Sequence, residues 1–264
     1  MPRSKVEVGD RFVWKAIRDA KLSRTHLDRL TVNYRTRHQA HYRHVGKQPP
    51  PGIKHIHFPA PTAPGLKQAK ARQQRVSLCM IVRNEATKLE TCLRSVAGLV
   101  HEMIVVGIGS TDCTKEVASR CGAKVFDFPC IDDFAAARNE SLLHATGDRI
   151  LWLDADESFD EPNRQRLGKL FAMLRDENRV YMMKQWSAPD HANGSVLVVD
   201  QARLFRRLPA FAWRHRIHEQ ILLSLREKGA KPVWTDIRIR HVGYQDAAMR
   251  KQKLSRNLRL LQME

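Results

Sequence analysis

Two carboxylates, Asp154 and Asp156, follow the apolar run Ile150-Leu151-Trp152-Leu153, with Ala155 between them and Glu157 after. Spaced i, i+2, they point the same way from an extended chain. Carboxylate oxygens set in that way can share one hard divalent cation, which leaves coordination positions open for phosphate oxygens. An isolated D-x-D also closes many strands as a plain acidic loop, so the neighbouring residues decide. Upstream lie Arg138-Asn139, a short amphipathic run and Thr146-Gly147-Asp148. An apolar run stopped by Gly-Asp on one side and acids on the other predicts a buried strand. Its acids then emerge at the carboxyl end, where open α/β sheets bind ligands.

The elements that must hold these residues are readable from Val76 onward. Val76–Val82 is a continuous apolar strand, followed by Arg83-Asn84-Glu85. Leu89, Cys92, Leu93 and Val96 recur at i, i+3, i+4, i+7, one face of a helix. Met103–Val106 predicts a second buried strand, and Gly107-Ile108-Gly109-Ser110-Thr111-Asp112 the turn after it. A helix with Val117, Ala118 and Cys121 comes next, its start capped by Ser110, Thr111 or Asp112. Lys124–Phe128 is a third strand, Asp133–Ala145 a third helix and Ile150–Leu153 the fourth strand. Alternation with short links predicts an α/β fold, a mostly parallel sheet covered by helices on both faces. The second half is less regular. Val180–Lys184, Ser195–Val199, Arg203–Arg207 and Thr235–His241 read as strands, with Asn193-Gly194 a hairpin turn. The tail from Asp246 reads as a basic helix with Leu254, Leu258 and Leu261 on one face.

A chain of 264 residues with a 42% hydrophobic share suits one such domain plus an appendage. Its net charge of +18 is uneven: residues 1–75 hold 17 Lys+Arg against 4 Asp+Glu. That segment mixes Arg, His and Tyr around Tyr34–His44 and then turns Pro-rich, so it reads as a separate, partly disordered extension. A basic arm of this kind can hold nucleic acid or an anionic surface by phosphate contacts; a solvated extension is the plainer reading. Five cysteines without a C-x-x-C pair fit reduced, buried thiols rather than disulfides or zinc. No run reaches the length of a membrane helix and Met1–Asp10 lacks a signal peptide's apolar segment, which together predict a cytoplasmic protein.

Six blocks in order resemble the family 2 glycosyltransferases, in the branch whose GT-A catalytic domain is often followed by helical repeats. They are Leu78–Glu85, Val105–Asp112, Asp133–Asn139, Thr146–Glu157, Ile217-His218-Glu219-Gln220 and His241-Val242-Gly243-Tyr244. The resemblance covers the chain from about Val76 and implies a GT-A domain over 76–245. Residues 76–157 form its nucleotide-sugar half, 158–245 its acceptor half, and 246–264 a C-terminal helix. It implies a metal-dependent, inverting transfer of a sugar from a nucleotide-diphosphate donor to an acceptor of unknown identity, with Mn²⁺ or Mg²⁺ as cofactor.

The resemblance also assigns expected roles. Asp156 is the direct metal ligand, with Asp154 reaching the ribose or the metal through water, and His241 a third ligand. Val82, Asn84, Glu85 and Asp112 line the nucleotide, and Arg138 reaches its diphosphate or base. Glu219 is the expected general base, because it follows an aromatic patch suited to an acceptor; Asp190 and Glu157 are the fallbacks. Trp186 and Trp213 are candidate sugar platforms. One departure stands out: relatives usually carry Asp where Gly107 stands, to hydrogen-bond the nucleobase. Base selection then falls to backbone or to neighbours such as Asp112. The alternative reading is a catalytically impaired GT-A domain serving as a binding module on its basic arm. Nucleotidyl transfer is disfavoured, because no Gly-rich phosphate loop with a following Lys is present.

Overall fold

The computed structural model describes residues 73–129, 132–187, 196–242 and 256–263. The basic arm up to residue 72, the Asn193-Gly194 turn, Asp190, Tyr244, Cys130 and Leu254 lie outside the described residues. The described chain runs β1 (Val76–Val82), α1 (Ala86–Val96), β2 (Glu102–Gly107), α2 (Thr114–Arg120), β3 (Lys124–Asp127), α3 (Phe134–His144) and β4 (Arg149–Trp152). Then follow β5 (Glu157–Ser158), α4 (Glu161–Met173), β6 (Arg179–Ser187), β7 (Leu197–Arg206), α5 (Leu222–Glu227) and β8 (Lys231–His241). A last helical stretch spans 256–262.

One sheet carries all eight strands in the order β3-β2-β1-β4-β7-β6-β8-β5. β1 pairs in parallel with both β2 and β4, and β2 with β3. Parallel strands covered on both faces must be apolar throughout, and β1 is buried along nearly its whole length. α1 lays Leu89, Cys92, Leu93 and Val96 on one face of the sheet against Leu78, Met80 and Leu151. The opposite face packs Ile104, Val106, Ile150 and Phe205 with Ala135 and Ala137 of α3 and with Phe211 and Trp213. Aspartates start two of the helices: Asp133 accepts from Ala136 N–H and Asp160 from Asn163 N–H.

Thr146-Gly147-Asp148 ties the amino ends of the strands together. Glu102 accepts from Thr146 N–H at 2.6 Å and from Ser77 Oγ at 2.6 Å, while Asp148 accepts from Arg75 N–H at 2.8 Å. A Cβ on Gly147 would stand 2.6 Å from Ser77 Oγ and 2.9 Å from Arg75 O, so the close approach requires glycine.

Several expectations are corrected. The two strands expected over 195–199 and 203–207 are replaced by one, β7 (Leu197–Arg206), which runs through the polar Asp200-Gln201; Ser195 lies outside the described residues. α4, α5 and the two-residue β5 are additional elements. Cys79 and Cys92 are buried thiols as expected, but Cys113 is exposed. No helix among the described residues is long and apolar enough to cross a membrane.

Candidate active site

Sequence-adjacent β1 and β2 lie on one side of the β1–β4 boundary and the later strands on the other, so the chain switches direction there. In open α/β sheets the loops at such a switch point splay apart, which puts the expected crevice at the carboxyl ends of β1 and β4. Asp154 enters it from β4, but not as an extended strand. Glu157 N–H donates to Asp154 O at 3.0 Å, closing a tight turn, and Asp154 N–H donates to Glu157 Oε2 at 2.9 Å. The turn gives the two aspartates different partners, where the i, i+2 spacing alone predicts a shared direction.

Asp154 Oδ1 accepts from Arg138 Nη2 at 2.7 Å, and Arg138 Nε donates to Glu219 Oε1 at 2.7 Å. The Arg138 side chain is 7% exposed. Its guanidinium lies 4.7 Å from the Trp152 ring centre and 4.8 Å from that of Trp213. Burial favours a neutral guanidine, but the charges and hydrogen bonds of Asp154 and Glu219 outweigh it and raise the Arg138 pKa. Burial likewise pushes Asp154 up, and Arg138 and Arg203 pull it below its ordinary value. Arg138 thus faces two protein carboxylates, where a diphosphate or base contact is expected from the resemblance. Trp213 is buried as one wall of this cradle, so it offers no exposed sugar platform. Asn139 supports the same wall: its side-chain amide clasps the Trp213 backbone at 2.7 and 3.0 Å.

Asp156 turns to β8. The antiparallel pairing of Glu157 with His241 brings His241 Nε2 to 3.4 Å from Asp156 Oδ2. Ser187 Oγ lies 2.9 Å from His241 Nδ1, a partner that fixes the ring. Burial lowers the His241 pKa, but the hydrogen bond and charge of Asp156 prevail and raise it. Glu157 is not available as a base. It is fully buried, gripped by Arg203 through two contacts of 2.6 Å and by Gln185 at 2.7 Å. Arg203, Gln185 and Ser187 were not foreseen; the one signal for Arg203 is a cation inside the apolar run around Leu204-Phe205.

Beyond β1, Val82 is buried and its carbonyl accepts from Ile108 N–H at 3.0 Å. Asn84 has φ 54° and accepts from Thr111 N–H at 2.8 Å. Glu85 N–H donates to Thr114 Oγ1 at 2.9 Å. Asp112 accepts from Thr114 N–H and Oγ1 and from Ala86 N–H, so its carboxylate serves the starts of α1 and α2. These contacts join the β1 and β2 loops into one floor for the crevice.

A family model described as Glycosyl transferase family 2 matches residues 77–231. The chain belongs to that family. This family member is 36% identical over 192 residues to a TPR repeat-containing protein of Synechococcus elongatus, a match covering 66% of this chain and 43% of that protein. It is 25% identical over 200 residues to the SPbeta prophage-derived glycosyltransferase SunS of Bacillus subtilis, covering 72% of this chain and 45% of the relative. The chain therefore spans less than half the length of these relatives. Its fold resembles glucosyl-3-phosphoglycerate synthase of Mycobacterium tuberculosis, solved with Mn²⁺, UDP-glucose and glycerol 3-phosphate. The TM-score is 0.52 at 17% identity, over 72% of this chain and 79% of the other. The chain accordingly has the GT-A architecture.

Among the described residues no three His, Cys, Asp or Glu side chains gather as a ready-made cation site. A divalent ion that keeps substrate oxygens as ligands needs fewer protein donors. The chain offers a carboxylate and an imidazole 3.4 Å apart, Asp156 and His241, with the Asp154 charge close enough to act on the imidazole. That donor set fits such an ion.

Proposed function

We propose that this glycosyltransferase transfers a sugar, with inversion, from a nucleotide-diphosphate donor to an acceptor hydroxyl, using a divalent ion. The observation that carries the reading is the chain of contacts Asp154–Arg138–Glu219, each link 2.7 Å. It couples the carboxylate at the donor crevice to a carboxylate from the second half of the domain. The structural neighbour solved with Mn²⁺ and UDP-glucose supports the same donor class.

Asp156 and His241 would hold the ion, which when bound stabilises the negative charge growing on the departing diphosphate. The floor of Asn84, Glu85 and Asp112 orients the nucleotide across the β1 and β2 loops. Arg138 fixes Glu219 Oε1, which leaves Oε2 to take the acceptor's proton on the face opposite the leaving group. The tryptophan walls exclude water from the guanidinium and so strengthen its hold on both carboxylates.

A panel of UDP-, GDP- and dTDP-sugars with Mn²⁺ or Mg²⁺, followed for donor hydrolysis or transfer, tests the proposal. Turnover of at least one donor, lost in Asp156→Ala, is expected. No turnover and no nucleotide binding with any donor would remove the reading.

A further inference from the structure

Gly107 ends β2 without a side chain, and its backbone does not lie in the left-handed region, so conformation is not what requires glycine there. Space is the more telling feature. A Cβ built on Gly107 would meet Asp127 Oδ1 at 3.4 Å and Lys115 Cε at 3.5 Å. Gly107 and Asp127 are direct partners in the parallel register of β2 and β3. The Asp127 carboxylate thus leans from β3 to the edge of the space that a residue at 107 would fill. Lys115 Nζ, from α2, stands 2.5 Å from it. Phe128 N–H donates to Gly107 O at 2.9 Å, which prolongs the pairing and holds Asp127 in register.

This pair sits at the carboxyl edge of the sheet, in the same row of strand ends as Asp154. From β4 to β3 the row crosses β1 and β2, which at strand spacing is roughly 14 Å. That span is comparable to the reach of an extended nucleoside diphosphate lying with its phosphates over β4. Asp112, a neighbouring carboxylate, is engaged at the helix starts. Asp127 remains largely exposed, its side chain at 70%. An exposed ion pair contributes little to the fold.

Resting on the family reading above, we propose that Asp127 and Lys115 form the nucleobase-selecting pair of this enzyme, across the gap left by Gly107. A carboxylate beside an ammonium presents an acceptor next to a donor. That pattern complements a ring N–H flanked by a carbonyl, as in uracil, thymine or guanine. Adenine and cytosine present a ring nitrogen acceptor in that place, which the carboxylate repels. Asp127 is therefore a specificity residue that contacts the base and takes no part in bond making.

Calorimetric titration of the full chain with UDP, dTDP, GDP, CDP and ADP, each with Mn²⁺, tests this in the wild type, Asp127→Ala, Asp127→Asn and Asp156→Ala. The wild type should bind at least one of UDP, dTDP or GDP about tenfold or more tighter than CDP and ADP, as a hydrogen bond to a charged group predicts. Asp127→Ala should bind that nucleotide about tenfold weaker. Asp127→Asn should flatten the ranking, because an amide offers the adenine or cytosine ring nitrogen a donor. In turnover, Asp127→Ala should raise the donor KM with little change in kcat. If Asp127→Ala keeps wild-type affinity and ranking while Asp156→Ala loses binding, the inference fails and the family reading stands. CDP or ADP bound as tightly as the other three also overturns it, and a wild type that binds no nucleotide removes both.

Discussion

Arg138 makes one guanidinium serve two carboxylates, and no other cation can copy it. A lysine ammonium is a point donor on a flexible stem, whereas the planar fork reaches Asp154 and Glu219 from separate nitrogens while lying against two indoles that meet edge to face. Arg138→Lys should therefore keep the fold but release Glu219 from its angle. We expect kcat to fall on the order of 10²-fold, the scale of a misplaced catalytic group, with nucleotide affinity nearly unchanged by calorimetry. Arg138→Ala should be worse in kind. It leaves two partly buried carboxylates without their shared partner, a loss of about 1–3 kcal/mol read as a lower midpoint in urea. Glu219→Gln separates the proposed base role from the scaffold role, since the amide oxygen still accepts from Arg138. Activity should drop about 10²–10⁴-fold with the melting temperature preserved. These roles were only partly legible. Arg138, Asp154 and Glu219 were each named from the sequence, but 81 residues separate Arg138 from Glu219, and no local pattern predicts that they touch.

At the scale of elements, the first half of the domain was readable because buried parallel strands are unbroken apolar runs. The predicted strands of that half end within a residue or two of the observed ones, β1 matching from Val76 to Val82. The second half hides its elements in tertiary contacts. α4 is the exception: Leu167, Leu170, Phe171 and Leu174 fall at i, i+3, i+4, i+7, and Asp160 followed by Pro162 is a helix-start signal, so this helix was legible and was missed. β5 exists through its pairing with β8. At the amino ends of the strands, Glu102 gives a pH test. Burial alone would raise its pKa, but bonds from Lys124, Ser77 and Thr146 outweigh that and hold it at about 2, against an ordinary 4.5. Between these values the unfolded chain binds the proton and the folded chain does not, so stability rises with pH there. Glu102 should contribute roughly 2–3 kcal/mol above pH 4.5, lost as pH falls toward 2. Thermal melts from pH 5 to 2 should fall more steeply for the wild type than for Glu102→Gln. The neighbouring Gly147→Ala should lower stability by about 1–3 kcal/mol, because the added methyl meets Ser77 and Arg75 backbone that cannot yield.

Across the whole molecule, the loop that carries Glu219 is held from outside the sheet. Residues 214–220 close on themselves through the Arg214–Gln220 bridge, with His215 at φ 75° and His218 at φ 55°. Left-handed backbone at two non-glycine residues persists only where surroundings impose it. Phe134 N–H donates to Arg216 O at 2.9 Å, and Ile217 packs with Leu260 and Leu261 of the last helix. That helix is pinned in turn by Arg259 on Asp132 at 2.8 Å and by Arg256 over the Phe134 ring. The Ile217 cluster is separate from the two cores that cover the sheet. Undocking the helix should therefore loosen Glu219 without melting the domain. Leu260→Ala removes a fully buried side chain from that small cluster. Transfer should fall about tenfold, while far-ultraviolet circular dichroism and nucleotide affinity stay near wild type and trypsin cuts faster at Arg214 and Arg216. Loss of nucleotide binding in the same variant would mean that the helix supports the donor half as well, and that the loop is not separately held.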